Sequence, residues 1–198
     1  MKQGLLSYYL PHGIEAGCDE AGRGCLAGPV YAAAVVLPRD YYHPLLNDSK
    51  MLNPIQREEI KELIKEESLS WTVSKVYPKT IDKINILNAT IRAMHLALER
   101  LYVKPTRLLI DGNTFKPYKG ITYKCIIKGD RKYFSIAAAS VLAKTYRDAY
   151  MKRLHKKHPE YNWFENKGYP TKDHRYSIRK FGLTKYHRRS FRVYPQLR

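Results

Sequence analysis

Two apolar runs near the start of the chain are joined by a glycine-rich turn. The first covers residues 14–19 and leads into Glu20-Ala-Gly-Arg-Gly24. The second extends from Leu26 to Leu37, is rich in valine and alanine, and has Gly28-Pro29 near its beginning. Apolar runs that flank a short glycine turn are typical of paired strands. The pattern therefore predicts an antiparallel strand pair across this region.

The rest of the first 155 residues alternates between strand-like and helix-like patterns. Apolar spacing predicts helices that start at Asn53-Pro54, that cover Asn88 to Leu101, and that cover Tyr133 to His155. Strands are predicted at Leu69–Val76, Arg107–Asp111 and Thr122–Ile127, and a polar loop at Asn47–Lys50. Because strands and helices alternate after an opening hairpin, the pattern predicts an α/β domain with a mixed sheet.

The composition changes near residue 155, after which the chain is basic and aromatic. We therefore predict a main domain at residues 1–155 and a basic, helical C-terminal extension at 156–198 that packs on it. Residues 151–198 hold 14 Lys and Arg against three Asp and Glu, so they carry +11 of the formal charge of +18. A globular protein this basic usually binds a polyanion, most often nucleic acid. Charge alone indicates a class of partner and no activity.

Cysteine usage and hydropathy bear on the cellular compartment. Cys18, Cys25 and Cys125 form no Cys-x-x-Cys pair, which favours buried free thiols in a reducing compartment. The N-terminal segment lacks a signal-peptide pattern, and no apolar run approaches the roughly 18 residues of a membrane span. We therefore expect a soluble, cytoplasmic protein that does not contact membranes.

Carboxylates lie at or shortly after the ends of three predicted strands. Asp19 and Glu20 follow the first run, Asp111 ends a later strand, and Asp130 follows the next one. Clustered carboxylates raise one another's pKa, and a divalent cation removes this repulsion. Mg²⁺ or Mn²⁺, which prefer oxygen ligands, suits the in-line displacement of a phosphodiester. The pattern therefore suits a two-metal nuclease.

Two other functional classes fit part of the same pattern. A basic module that binds RNA or DNA without catalysis explains the charge, but not carboxylates gathered at strand ends. A resolvase or exonuclease on the same kind of sheet shares the carboxylates. For any one of these residues a turn or cap is the commoner role, and Asp111-Gly-Asn is a good turn sequence. The local motifs decide between these alternatives.

Eight motifs stand in one order between about Gly17 and Phe191. They are Asp19-Glu20-Ala-Gly-Arg-Gly24 with Leu26-Ala-Gly-Pro-Val30, Leu46-Asn-Asp-Ser-Lys50, Ile86-Leu-Asn-Ala-Thr90, Ile110-Asp-Gly-Asn113, Lys128-Gly-Asp130, Ala137-Ala-Ala-Ser-Val-Leu-Ala-Lys144 with Arg147-Asp148, Lys167-Gly-Tyr-Pro-Thr171, and His187-Arg-Arg-Ser-Phe191. Together they resemble type 2 ribonuclease H, the ribonuclease HII family. The resemblance implies a ribonuclease H-like mixed sheet flanked by helices, with a helical C-terminal extension.

The resemblance also implies the catalytic and metal-binding residues. The family's four carboxylates, which hold Mn²⁺ or Mg²⁺, correspond to Asp19, Glu20, Asp111 and Asp130. Asp148 competes with Asp130 for the fourth position. The setting of Asp130 after a strand favours it, whereas Arg147 and Asp148 lie along a helix, where such a pair is more often structural.

Two further motifs concern recognition of the ribose. Glycines in Gly22-Arg23-Gly24 let the backbone approach a sugar closely, and Arg23 suits a neighbouring phosphate. In the family that the chain resembles, this motif contacts the ribonucleotide at the cut. The resemblance implies that Tyr169 packs under the adjacent sugar and reads the RNA-to-DNA junction, where the 2′-hydroxyl distinguishes the two.

Several other side chains are weaker candidates. Lys50 and Lys144 are possible phosphate contacts, His174 and His187 possible nucleic-acid contacts, and Ser140 is expected to serve close packing. The C-terminal basic side chains are expected to follow the duplex backbone: Arg175, Arg179, Lys180, Arg188, Arg189 and Arg192.

The resemblance implies a monomeric endonuclease with two related substrates. It hydrolyses the RNA strand of RNA/DNA hybrids and cuts 5′ of single ribonucleotides embedded in duplex DNA, which leaves 3′-hydroxyl and 5′-phosphate ends. The implied cellular role is the removal of misincorporated ribonucleotides. The sequence leaves open whether a replication protein is a partner and what residues 193–198 do.

Overall fold

The computed structural model describes residues 4–48 and 52–194. Its strands are β1 (Glu15–Ala21), β2 (Val30–Val36), β3 (Ser70–Val76), β4 (Arg107–Asp111) and β5 (Thr122–Ile126). Its helices are α1 (Pro54–Glu67), α2 (Pro78–Ile84), α3 (Ile86–Arg100), α4 (Phe134–His155), α5 (Trp163–Asn166) and α6 (Lys172–Phe181). Short 3₁₀ turns lie at Pro44–Asp48, Gly129–Arg131 and Pro159–Tyr161.

The five strands form one mixed sheet in the order β3-β2-β1-β4-β5. Strand β2 is antiparallel to both β1 and β3, whereas β4 is parallel to β1 and to β5. The predicted opening hairpin and the α/β mixed sheet are thus confirmed. Because β1, β4 and β5 run in the same direction, their carboxyl ends lie at the same edge of the sheet.

The two faces of the sheet are covered by different helices. On β2, Ala32 and Ala34 belong to the core formed with α3, and Ala33 and Val35 belong to the core formed with α4. Strand alternation explains this division, since successive side chains point to opposite faces. All seven residues of β2 are buried, as expected for a strand with a helix on each face.

Helix α4 approaches β1 unusually closely, and glycine makes this possible. A Cβ at Gly17 would lie 2.2 Å from the carbonyl carbon of Ser135. The helix contributes small side chains to the contact, including the buried Ala137 and Ala138. Asp19 lies two residues after Gly17 and therefore points to the same face. The fold thus places Asp19 against α4.

Strand boundaries differ from the predicted ones at the glycine turn. Strand β1 continues through Ala21, so Asp19 and Glu20 lie within it. Strand β2 begins only at Val30, because the backbone before it pairs elsewhere: Leu26 N donates to Gly168 O. The apolar character of residues 26–29 serves a contact with the C-terminal segment.

Helix α2 and its junction with α3 were not predicted. The helix is short and starts at Pro78, and Asn85 follows it with a φ of 62°. The Asn85 side chain accepts a hydrogen bond from Asn88 N and so caps α3, which begins at Ile86. Of the predicted polar loop, Ser49 and Lys50 lie outside the described residues.

The C-terminal segment packs on the turn between β1 and β2. Trp163, Tyr161 and Ile178 share a buried cluster with Leu26 and with the last part of α4. The boundary between two domains near residue 155 stays a prediction. Among the described residues, no helix is long and apolar enough to span a membrane.

Candidate active site

Strand register brings the predicted carboxylates to one edge of the sheet. Cys18 on β1 pairs with Ile110 on β4, so the next residues, Asp19 within β1 and Asp111 at the end of β4, lie side by side. Asp111 Oδ1 accepts a hydrogen bond of 2.7 Å from Gly129 N. Asp130 follows directly, in a 3₁₀ turn, and is 6% exposed. This turn after β5 explains how a residue beyond the strand reaches the same edge.

The electrostatics show that these carboxylates are close neighbours. Burial raises the pKa of Asp19 well above its ordinary value, and the charges of Glu20 and Asp111 raise it further. Burial also raises the pKa of Glu20, against the opposing effect of Arg23, whose Nη1 lies 3.3 Å from Glu20 Oε1. Three acidic groups that repel one another in a buried position are stabilised by a cation between them.

The donor set fits a hard divalent ion. Carboxylate oxygens are the ligands that Mg²⁺ and Mn²⁺ prefer, and the repulsion at Asp19 is the kind that such an ion removes. Ser140 on α4 lies close to the Asp19 side chain and lowers its pKa, against the effect of burial. Within residues 4–48 and 52–194, no three His, Cys, Asp or Glu side chains are already arranged as a metal site.

A cleft of about 280 Å³ lies beside Glu20. Its lining brings together the predicted ribose-reading residues and part of α4: Glu20, Ala21, Gly22, Arg23, Gly24, Ser140, Lys144, Arg147, Asp148 and Tyr169. Tyr169 is 44% exposed, and its hydroxyl lies near the Cys25 thiol. The structure therefore places the Gly22-Arg23-Gly24 loop, Tyr169 and one carboxylate around a single cavity.

Arg188 holds the Gly22-Arg23-Gly24 loop from beneath. Its guanidinium donates to Gly22 O at 2.7 Å, to Arg23 O at 2.8 Å and to Gly28 O at 3.0 Å. Arg188 is 1% exposed, and burial lowers its pKa to about 10. Since Arg188 takes the carbonyls of Gly22 and Arg23, we expect the loop to offer its amide groups to a ligand.

Arg147 forms a second buried support on α4. It donates to Pro29 O and Ala27 O, each at 3.1 Å, and to Lys167 O at 2.9 Å. These bonds tie the glycine turn to the segment that carries Tyr169. The Arg147 guanidinium carbon also lies 5.9 Å from the centre of the Tyr169 ring. The relative positions of loop and ring are thus fixed by one side chain.

Gly22→Ala is expected to lower cleavage at least about tenfold and to destabilise the protein. Gly22 has a φ of +92°, and a Cβ there would lie 2.0 Å from Arg147 Nε. Gly24→Ala is the matched control for stability, because no atom lies within 4 Å of its Cβ position. Thermal unfolding of both variants and steady-state cleavage by Gly22→Ala check this. An equal loss of thermal stability in the two variants would contradict the role given to Arg147.

Tyr169 is held from the other side by a chain of hydrogen bonds between buried rings. Thr184 N donates to His187 Nδ1 at 3.0 Å, so the His187 proton is on Nε2, 3.3 Å from His174 Nε2. Trp163 Nε1 donates to the same His174 nitrogen at 3.0 Å. His174 Nδ1 therefore carries the proton and donates to Tyr169 O at 2.8 Å. Both imidazoles are neutral in this arrangement.

Stability is expected to fall as the pH falls below about 6.5, the ordinary histidine value. Burial lowers the pKa of His187 to about 3 and also lowers that of His174. The unfolded chain therefore takes up protons that the folded protein refuses, and stability is lost progressively from pH 6.5 towards 3. Unfolding free energies across this range should show a weaker pH dependence in His187→Gln. The exposed His12→Gln should keep the full dependence, and a parallel loss in both would contradict the assignment.

Several expectations about individual side chains are wrong. Arg188 is not available to the duplex backbone, because it is buried under the loop. His174 and His187 are 0% and 2% exposed and cannot reach nucleic acid in this conformation.

The alternative fourth carboxylate, Asp148, lies on α4 and lines the same cleft as Glu20. Its partner is Lys144, with Nζ 3.2 Å from Oδ2, and Arg147 instead bonds backbone carbonyls. Asp130 lies next to the residue that bonds Asp111. The choice of Asp130 as the fourth metal-binding residue stays a prediction that this neighbourhood supports.

Proteins of a known family are similar to this chain over almost its whole length. The family model for ribonuclease HII matches residues 16–194. Ribonuclease HII of Bacteroides fragilis is 60% identical over 180 residues, which are 91% of this chain and 90% of that protein. Ribonuclease HII of Phocaeicola vulgatus is 57% identical over 196 residues, 98% of each chain.

Solved structures show the same fold. Ribonuclease H2 from Pyrococcus horikoshii OT3 superposes with a TM-score of 0.77 at 28% identity, covering 91% of this chain and 94% of that one. Ribonuclease HII of Archaeoglobus fulgidus, solved as a complex with PCNA, gives 0.77 at 25% identity, covering 93% and 98%. Bst-RNase HIII in complex with Mn²⁺ gives 0.71 at 17% identity, covering 91% and 67%, and shows the fold alone. The chain belongs to the ribonuclease HII family of endoribonucleases, which are hydrolases that depend on divalent metal ions.

Proposed function

We propose that this protein is an endonuclease that hydrolyses the RNA strand of RNA/DNA hybrids and cuts 5′ of single ribonucleotides in duplex DNA. Family membership indicates ribonuclease H activity on hybrids. The observation that carries the finer proposal is the cleft in which Glu20 meets the Gly22-Arg23-Gly24 loop and Tyr169. A carboxylate that can hold a metal thus adjoins two groups suited to reading a sugar.

In the proposed mechanism, Asp19, Glu20, Asp111 and Asp130 would hold two Mg²⁺ or Mn²⁺ ions, which would supply an activated water and stabilisation of the leaving 3′-oxygen in an in-line displacement. Asp19 is buried, and its Oδ1 accepts a hydrogen bond of 2.7 Å from Glu20 N, so its carboxylate is held in place before substrate binds. Arg23, half exposed beside Glu20, is placed to hold a phosphate next to the scissile bond. The products carry 3′-hydroxyl and 5′-phosphate ends.

The ribose is read by backbone and ring together. Arg188 occupies the carbonyls of Gly22 and Arg23, which leaves the loop amides to meet the 2′-hydroxyl and its phosphate. Tyr169 lies across the same cleft, where its ring packs under the next sugar. A ring in contact with that sugar disfavours a second 2′-hydroxyl without excluding it, so RNA strands remain substrates. The pair therefore favours a ribonucleotide followed by a deoxyribonucleotide.

The proposal extends to partners and cellular role. The Archaeoglobus fulgidus relative was solved with PCNA, so a replication clamp is the class of protein partner that we propose for this chain. Residues 195–198 of this chain lie outside the described residues. We propose that the protein acts as a monomer in the cytoplasm and removes ribonucleotides misincorporated into DNA.

One assay with several substrates tests the proposal. The protein is incubated with an RNA/DNA hybrid, with a DNA duplex that contains one ribonucleotide, and with an all-DNA duplex, each in Mg²⁺, Mn²⁺ or EDTA. Cleavage of the first two in metal, and of none in EDTA, is expected. Intact ribonucleotide substrate under every metal condition would refute the enzyme proposal. Equal cleavage of the all-DNA duplex would refute recognition of the ribose.

Tyr169→Ala is expected to reduce cleavage of the single-ribonucleotide duplex more than cleavage of a long hybrid. The reason is that the ring contacts the sugar at the junction, which a long hybrid lacks at most of its cut sites. Tyr176→Ala is the control, because Tyr176 is also in the C-terminal segment and is 64% exposed. kcat/KM on both substrates gives the comparison. The same loss on both substrates would argue against junction reading.

A further inference from the structure

A basic groove lies at the edge of the sheet opposite β5. Strand β3 is an edge strand, and a groove of about 680 Å³ runs along it. Helix α3 contributes Leu96 and Arg100 to one wall, and α4 contributes Tyr146 and Arg153 to the other. A neighbouring cavity of about 280 Å³ shares Lys75 and Arg153 and continues to Lys157 and Tyr186. We call the two together the β3 trough.

The cations of the β3 trough are not neutralised. Within the described part of the chain, no ion pair engages Lys75, Arg100, Arg153 or Lys157. Lys61, at one end, differs, since it pairs with Glu58 and Glu62. Four cations along one depression, without acidic partners among the described residues, make a local positive potential that attracts a polyanion.

Aromatic rings surround the central cation. Lys75 Nζ lies 5.9 Å from the ring centre of Tyr31 and 5.3 Å from those of Tyr77 and Tyr150. Tyr77 is 47% exposed and so presents a ring to solvent. Cationic side chains interleaved with tyrosines are the arrangement with which proteins hold the phosphates and stack the bases of unpaired strands.

A buried hydroxyl in the trough lacks a partner. Ser74 on β3 lines the groove and is 4% exposed, and no described group hydrogen-bonds its Oγ. A buried polar atom without a partner costs free energy, so its retention is explained when a ligand supplies the bond. A phosphate oxygen or a base edge meets this need.

The trough is separate from the cleft of the candidate active site. The two share no lining residue. Helix α4 turns Ser140, Lys144 and Asp148 to the cleft, and Thr145, Ala149 and Arg153 to the trough. Nothing bound in the trough therefore competes directly for the carboxylates.

We propose that the β3 trough binds single-stranded nucleic acid. The unneutralised cations favour a polyanion over a neutral peptide strand added to β3. The half-open groove along β3, with walls from α3 and α4, suits a flexible single strand of a few nucleotides better than a rigid duplex. The trough ends at Tyr186, whose carbonyl accepts from Gly28 N, so an unpaired strand that flanks a bound duplex has a short path to it.

The test measures binding in EDTA, so its result is independent of cleavage and of the proposed function. Fluorescence anisotropy gives the affinity for a labelled, short oligouridine. The variant Lys75→Glu/Arg153→Glu is compared with Lys116→Glu/Lys124→Glu, which changes the charge equally at exposed positions outside both cavities. A milder variant, Lys75→Ala/Arg153→Ala, and thermal unfolding of all variants show that the fold is intact.

The trough variant should bind oligouridine at least about tenfold more weakly than wild type, with a shallower salt dependence, while the control changes less than about twofold. Photocrosslinking with 4-thiouridine should label the peptides that contain Tyr77 or Tyr150. Absence of binding by the wild type, equal loss in both charge variants, or crosslinks only at Arg23 or Tyr169 would each overturn the proposal.

Discussion

Asp19→Asn is expected to abolish cleavage, with kcat reduced by roughly 10³-fold or more, equivalent to about 4 kcal/mol of transition-state stabilisation. The substitution removes the charge that would bind a metal ion. It keeps an oxygen that can accept the 2.7 Å bond from Glu20 N, so the local backbone should not move. Hybrid binding, which rests on the loop and the basic surface, should stay close to that of the wild type.

Thermal unfolding separates this loss from misfolding. The pKa of Asp19 is higher in the folded protein than in the unfolded chain. The metal-free wild type therefore loses stability as the pH rises from the unfolded-state pKa to the folded-state pKa. Asp19→Asn lacks this loss, so at pH 8 without metal it should unfold at the same temperature as wild type or higher. Asp40→Asn, at an exposed position, should cleave normally. Turnover of Asp19→Asn above a few per cent of wild type would refute its role as a metal ligand.

Arg188→Lys is expected to reduce cleavage at least about tenfold and to lower Tm by roughly 5–15 °C. Lysine keeps the charge but cannot reach the carbonyls of Gly22, Arg23 and Gly28 with a planar fork. Buried carbonyls without a donor cost free energy, and the loop loses the support that fixes its amides.

The neighbouring Arg189 supplies the matched control. Its side chain is exposed, and its backbone N–H, which bonds Asp82, is unaffected by substitution. Arg189→Lys should therefore behave as wild type in both measurements. Cleavage and unfolding of Arg188→Lys within twofold and 2 °C or so of Arg189→Lys would show that the loop is held by other contacts.

The architecture followed from local patterns where those patterns were strong. Residues Arg107–Asp111 form a strand as predicted, because a short apolar run that ends on a carboxylate fits a buried parallel strand. The small-residue run from Tyr133 predicts a helix, and Gly17 on β1 gives the reason for its small side chains. Motif resemblance then identified the candidate carboxylates, which strand register places at one edge of the sheet.

The sequence does not indicate which polar side chains are buried by contacts between distant parts of the chain. Arg188 and His187 stand in a strongly basic stretch, where a solvent-exposed role is the ordinary expectation, yet both are buried. Arg188 bonds backbone carbonyls near Gly22, and His187 contacts the ring of His174 on α6. These separations along the chain are too long for a periodic pattern in the sequence to indicate the contacts. Ser140 was missed for the same reason, since only the approach of α4 to β1 brings it to Asp19.

The most direct test of a metal-assisted, ribose-directed cut is the position and chemistry of the cleaved ends. A DNA duplex with one ribonucleotide is digested in Mn²⁺ or Mg²⁺, and both fragments are resolved by mass spectrometry. We predict one cut on the 5′ side of the ribonucleotide, with a 3′-hydroxyl on the upstream fragment and a 5′-phosphate on the fragment that carries the ribose. A 2′,3′-cyclic phosphate, or a cut on the 3′ side, would contradict metal-assisted attack directed by the ribose.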